Sequence, residues 1–370
     1  VVPSPGTVAA GTTTISSGTT LQLNINSGVN YLTGTIFTGA GTLQTNASGT
    51  GTYGFRGQMN LLAGGLLDIN TGTFNGSADG LAVWTSNLGG LNINAGARFD
   101  GVEGAIFVDA LTGSGRLEGG FGGARTTTVG VNGGSGTFTG TVANNTDFGG
   151  RVLALTKAGA GTQSLLGTNS YTGITTVSGG VLALGGTSTM TGDIYVNGGV
   201  LRALNTTAFG SGTIHMINPT VEFGAAGTYA NNFSLEVVNG QQAADPTTLT
   251  NTSGGTVTLS GRIYETAGVG GANQYVTFAG ANTTVLGNAT NSWGGVTTVN
   301  SGVTLQGTTA SISGGSIVNS GTLIYTNTSA GTANQNISGS GALQVTGVGG
   351  VTLNGAITST GQISVSGVGS

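Results

Sequence analysis

Thr20-Leu21-Gln22-Leu23-Asn24-Ile25-Asn26 places Leu21, Leu23 and Ile25 on one side of an extended chain and Gln22, Asn24 and Asn26 on the other. Successive side chains of a strand point to opposite faces, so this stretch reads as a half-buried β-strand. The alternation returns near the other end at Ile363 and Val365. Between them a phrase of Gly followed by alternating apolar residues recurs as Gly41-Thr42-Leu43, Gly65-Leu66-Leu67, Gly90-Leu91-Asn92-Ile93 and Gly115-Arg116-Leu117, in steps of 24, 25 and 25 residues. It comes back as Gly180-Val181-Leu182 and Gly199-Val200-Leu201, a step of 19, and as Gly302-Val303-Thr304-Leu305, Gly321-Thr322-Leu323 and Gly341-Ala342-Leu343, in steps of 19 and 20. The chain is a repeat protein with a period near twenty residues and insertions.

No apolar i, i+3, i+4, i+7 stripe survives more than a turn, and Thr, Val, Ile and Gly crowd every window, so essentially no helix is expected. A propeller blade needs about 40 residues and four strands, whereas about twenty residues with two or three short strands make one coil of a β-helix. The expected fold is therefore all-β, a parallel β-solenoid over residues 1–370 with coils of about 19–25 residues. Leu, Val, Ile and Phe fill its interior, and Thr, Ser and Asn stack in ladders outside. Corners are expected at Asn75-Gly76, Asn132-Gly133, Asn197-Gly198 and Asn354-Gly355, where glycine reaches positive φ at no steric cost. Residues 239–248, with Asp245-Pro246, break the alternation and predict a loop excursion.

Composition agrees with a solenoid and removes other classes. Of 370 residues 75 are Gly and only four Pro, and the glycines keep no three-residue register, so collagen is excluded. With 37% apolar residues and a net charge of −4 the chain does not have the composition of disorder. There is no cysteine, hence neither a disulfide framework nor a thiolate metal site. Eight Lys and Arg do not provide a phosphate-neutralising patch, so nucleic acid and anionic membrane are not expected partners. No apolar run reaches the ~18 residues of a spanning helix, and no membrane insertion of this chain itself is expected. A start at Val1 without Met fits a mature or excised segment from which a secretion signal has been removed, and a boundary of other origin would look the same.

One stretch is more specific. Leu155-Thr156-Lys157-Ala158-Gly159-Ala160-Gly161-Thr162, then Leu165, then Asn169-Ser170-Tyr171-Thr172-Gly173-Ile174-Thr175-Thr176-Val177 and Gly180-Val181-Leu182-Ala183-Leu184, resembles the passenger-associated strand repeat of bacterial autotransporters. A weaker copy, Asn291-Ser292-Trp293-Gly294-Gly295-Val296-Thr297-Thr298-Val299 with Gly302 to Leu305, lies 122 residues on. The best-matching repeats are thus 155–184 and 280–305. The resemblance implies a right-handed β-helix passenger, secreted or displayed on a bacterial outer surface. Neither the membrane β-barrel that anchors such passengers nor a serine-protease motif is recognisable in these residues.

Candidate chemistry is sparse. His215 is the single histidine, so a Ser-His-Asp triad has to use it, and no Gly-x-Ser-x-Gly elbow accompanies it. The plainer reading is an outward or loop-edge histidine. Ten of the twenty charges, Arg56, Asp68, Asp79, Arg98, Asp100, Glu103, Asp109, Arg116, Glu118 and Arg125, fall between residues 56 and 125. Stacked carboxylates such as Asp100 and Glu103 would suit a polysaccharide-cutting groove, but the interspersed arginines favour pairing of opposite charges. The Gly-Gly-x-Gly-x-Asp calcium nonapeptide is absent, and the threonine runs Thr12 to Thr14 and Thr126 to Thr128 lack the regular coil length of an ice-binding array. Gly130 to Gly136 is followed by no Lys-Ser/Thr at a helix start, so it is no phosphate loop. Lys157, the one lysine, allows at most one Lys-Asn cross-link.

No catalytic, cofactor-binding or metal-ligating residue is therefore assigned, and no cofactor is expected. The function expected is non-enzymatic: an extracellular structural or adhesive β-helix that self-associates laterally or binds surface ligands or glycans, as in biofilm. One alternative is a filament subunit stacking end to end through uncapped solenoid edges. The other is a polysaccharide-processing β-helix enzyme.

Overall fold

The computed structural model describes residues 10–48, 51–101, 103–119, 123–145, 151–217, 219–236, 246–266 and 273–367. The chain forms two compact units, Val1–Asp193 and Ile194–Ser370, and each is a stack of coils whose strands pair in parallel with the coils before and after. Among the described residues the helical content is a single 3-10 turn, Ala78–Gly80, and one isolated bridge, Asn145 with Arg151, is antiparallel.

In the first unit the strand quoted above, Thr20–Ile25, begins a sheet that continues through Thr42–Ala47, Leu66–Thr71, Gly90–Ile93 and Leu111–Gly113. Its register puts Leu21, Leu43, Leu67, Leu91 and Leu111 in one inward column. Leu43, Leu67, Leu91 and Leu111 are fully buried. A second column is aromatic: Phe37, Phe55, Phe74 and Phe99 follow one another with ring centroids 6.0, 5.9 and 6.0 Å apart. Trp84 stands edge-on to Phe55 and Phe99, and its indole N–H donates to the Gly76 carbonyl at 2.7 Å. A buried phenylalanine contributes about 1.5–3 kcal/mol, so this column is a main source of cohesion. In the second unit Leu305, Leu323, Leu343 and Ile363 are register partners, as the phrases at Gly302, Gly321 and Gly341 predict.

The phrase at Gly115 behaves differently. Leu91 pairs with Leu111, and Leu117 pairs with Phe99 in another sheet. Each coil contains more than one Gly-then-apolar strand, so a period counted on that phrase slips from one sheet to the next when a coil shortens. The loop excursion expected near 239–248 falls mostly where the structure gives no description. Residues 239–245 lie outside the described residues, and Thr247 and Thr248 already belong to the strand Thr247–Asn251.

The Asn-Gly corners divide by physical cause. Gly133 has φ 83°, and at Asn197-Gly198 the left-handed residue is the next one, Gly199, at 69°. Gly76 and Gly355 do not have positive φ; a Cβ there would come within 3.0 Å of the Phe99 ring or the Gln335 carbonyl. Close approach between coils is the commoner demand. Gly140, Gly167 and Gly186 stack so that a Cβ on each would lie within 3.0 Å of the carbonyl oxygen of Gly115, Gly140 and Gly167 respectively. Gly167→Ala should therefore cost about 1–3 kcal/mol of stability by overpacking. Gly18→Ala, with φ 74° and open space around it, should cost only about 1 kcal/mol. Urea unfolding of both variants checks this, and equal losses would count against the close-approach account.

Candidate functional site

The outward face of the first unit carries side-chain ladders. Gln22 donates to Gln44 at 2.8 Å, Gln44 to Asp68 at 2.7 Å, Asn92 to Asp68 at 2.7 Å and Thr112 to Asn92 at 3.0 Å. One column over, Asn46 donates to Asn24 at 2.9 Å and Asn70 to Asn46 at 2.7 Å. The ladders follow from parallel register: identical strand positions stack, and an amide, having both donors and an acceptor, bonds its own kind in line. Asp68 is the one charge in the array and accepts from Gln44, Asn92 and Asn94.

The charged residues of 56–125 are mostly paired. Strands Arg98–Asp100 and Arg116–Glu118 are in register, so Arg98 neighbours Arg116 and Asp100 neighbours Glu118. Glu118 lies between the two guanidiniums, 2.6 Å from Arg98 Nε and paired with Arg116 Nε, while Asp100 is 3.3 Å from Arg98 Nη2 and accepts from Asn145. Asp100 and Glu118 are buried, the reverse of an open acid–base pair. Arg56 lies 3.5 Å over the Tyr31 ring and pairs with Asp79, the one non-glycine residue at positive φ among those described. Asp109 accepts from the Asn132 and Gly134 amides, both at 2.8 Å, and so ties the Gly130 to Gly136 loop. Glu103 is half-buried, its backbone amide on the Ser77 carbonyl. Arg125 begins the strand Arg125–Val129.

In the second unit His215 faces outward from the strand Ile214–Met216, stacked on Tyr195 with centroids 4.4 Å apart. Its Nδ1 is 2.7 Å from Glu236 Oε1, and Glu236 also accepts from Ser234 at 2.8 Å and Thr266 at 2.9 Å. Register sets Ser234 beside His215, yet the fully buried Ser234 hydroxyl donates to the carboxylate. The triad residue types meet here without the proton path from nucleophile to imidazole that the chemistry uses. Burial pushes the Glu236 carboxyl up, but hydrogen bonds from His215, Ser234 and Thr266, with the His215 charge, outweigh it and hold it below its usual value.

The repeat motif has its own chemistry. Lys157 is fully buried, in an inward column between Val129 and Val177. Its ammonium donates to the carbonyls of Ala158, Gly159 and Gly179, so it clips a corner and is not placed to cross-link an asparagine. Burial pulls its ionisation down, and the Asp109 charge partly restores it. Tyr171, fully buried, shares a 2.7 Å hydrogen bond with Thr175, and in the weaker copy Trp293 donates to Thr297 at 2.9 Å. Both copies thus satisfy one buried aromatic with a threonine four residues on.

Inward asparagines escape the alternation rule. Asn231 donates to the Gly210 and Gly212 carbonyls, Asn251 to those of Gly255 and Thr283, and Asn319 to that of Ala342. Asn251 and Asn319 sit two residues after the buried Leu249 and Ile317, and an asparagine in phase with the inward residues is the signal that finds them. Among the described residues no three His, Asp or Glu gather as a metal would need, and no helix is long and apolar enough to cross a membrane.

Two measurements test these local accounts. Thr175→Val should cost about 1–3 kcal/mol by stranding the Tyr171 hydroxyl, and adding Tyr171→Phe should recover most of it in thermal melts. Because Glu236 titrates below its usual value of 4.5, its stabilisation is complete above that pH and lost as pH falls through the lower value in the fold. Glu236→Gln should accordingly flatten the acid limb of the stability profile, and an unchanged limb would contradict the carboxylate network.

A family profile described as the passenger-associated-transport-repeat matches residues 155–184, 181–203 and 277–306. Two of these enclose the copies read from the sequence, and the third overlaps the phrase at Gly199. Carrying the 19-residue step from Tyr171 and Thr175 leads to Met190 and Ile194, an apolar pair in place of the polar one, which hid that copy. No curated protein and no solved structure matches the chain significantly. With three such repeats borne on a parallel β-solenoid, the chain matches an autotransporter passenger repeat domain.

Proposed function

We propose that this autotransporter passenger-like β-helix is a non-catalytic adhesive element of a bacterial surface, and that it self-associates side by side through its outward ladders. The three matches to the passenger-associated-transport-repeat support a secreted or outer-surface location. The observation that carries the adhesive reading is the amide array of Gln22, Gln44, Asn92, Asn24, Asn46 and Asn70. Each primary amide has two N–H groups and two lone pairs. Most send one N–H along the ladder, leaving polar capacity facing outward, and the single charge of the face, Asp68, is held by three N–H donors. Many weak contacts repeated along a face give avidity that no single pair supplies.

A second reading is end-to-end stacking through solenoid edges. Ile363 and Val365 are 51% and 72% exposed, whereas their register partners Leu343 and Val345 are buried. A further coil, of this chain or of a second copy, would cover them. The enzyme alternative, read on Asp100 and Glu103, gains nothing from Asp100, which is buried and paired, and Glu103 is half-buried.

Sedimentation of the purified chain separates the readings. Gln44→Lys with Asn46→Lys should weaken self-association at least about tenfold, with partial recovery at high salt, while Asn24→Ala alone changes little. Unchanged association of the double lysine variant, with loss in Ile363→Lys, would favour axial stacking.

A further inference from the structure

In the unit Val1–Asp193 a groove of about 430 Å³ opens where three successive coils turn from one sheet into the next. Its walls include Gly72, Thr73, Gly96, Arg98, Ser114 and Arg116. Among the described residues the lining therefore presents two guanidiniums and two hydroxyls and no carboxylate. The balancing acids, Asp100 and Glu118, lie two residues further along the same strands, their side chains only 6% and 2% exposed. What the groove exposes is therefore guanidinium, its balancing carboxylates being covered.

The arginines are fixed in place. Arg98 and Arg116 are register neighbours, one coil apart, and the bridging Glu118 relieves their repulsion. Among the described residues Arg116 pairs with Glu118 alone, through Nε, and its side chain is 46% exposed. Its two terminal nitrogens are free to meet a planar anion, and a guanidinium held by a buried carboxylate loses little further freedom on binding. Among the described residues the only apolar side chain in the lining is Ala97, which offers no pocket for the side chains of a peptide. The hydroxyls of Thr73 and Ser114 suit instead a partner that both donates and accepts at every position.

We infer that this groove binds an acidic saccharide, with the carboxylate of a uronic acid residue on the terminal nitrogens of Arg116 and its ring hydroxyls on Thr73 and Ser114. The inference deepens the adhesive reading by naming a ligand class, and rests on that reading for its biological use, though the groove chemistry stands apart from the ladder face.

The test is calorimetric titration of the full chain with tri-galacturonate, neutral galactotriose and a hexaglutamate peptide. Tri-galacturonate alone should bind, more weakly as salt rises. Arg116→Gln should reduce its affinity at least tenfold, Arg116→Lys should reduce it less, and Ser114→Trp, which fills the groove without touching the ion pairs, should abolish it. Gln44→Lys with Asn46→Lys should leave it within twofold, which separates failure of the groove from failure of the ladder. Equal binding of the neutral trisaccharide or the peptide, no binding of tri-galacturonate, or unaltered affinity in Ser114→Trp would overturn the inference.

Discussion

Parallel stacking of like position on like position, at about 4.8 Å per coil, is the constraint from which the other features of each unit follow. A residue in a strand meets a register partner from the coil below and another from the coil above, so every column must be self-compatible. Leucine over leucine is, as in Leu43, Leu67, Leu91 and Leu111, because apolar surface buries apolar surface. Phenyl rings near 6 Å apart are as well. Amide over amide satisfies donor and acceptor at once. Where two corners converge, glycine over glycine is the solution that leaves room.

Charge is the material least suited to such columns, which accounts for its scarcity. A column of one sign would place like charges within a strand spacing of each other. The exceptions come with compensation in place: Arg98 over Arg116 with Glu118 between them, and Arg202 beside Glu222, bonded at 2.8 Å. Lys157 is buried only because three carbonyls of a corner converge on its ammonium. The same logic keeps Asp68 in an amide ladder, where three N–H donors surround it.

How far the sequence discloses all this depends on whether a feature lies within a strand or between strands. Alternation at Leu21, Leu23 and Ile25 discloses the strands, and the leucine phrases disclose the coil, because both are local. The copy at 155–184 is legible because its Lys157, Tyr171 and Thr175 each solve a fixed local problem. Leu117 misleads because two sheets within one coil use the same phrase, and only coil length, which varies, decides between them. The groove of Arg98 and Arg116 is hidden for the same reason: residues 18 apart become neighbours only once the shortened coil is known. Inward asparagines are missed because polarity alone assigns them outward, whereas corner carbonyls need them inside.

The account stands on coil-to-coil register, and because the chain has no cysteine, engineered pairs read that register directly. Thr128 and Thr156 are outward register partners, while Thr126 pairs one coil on with Ala154. Thr128→Cys with Thr156→Cys should oxidise readily to an intrachain disulfide, the Cα atoms being about 5 Å apart. Thr126→Cys with Thr156→Cys, offset by two residues and about 8 Å apart, should not. Cross-linking of the offset pair in preference to the aligned one would contradict the parallel in-register stack.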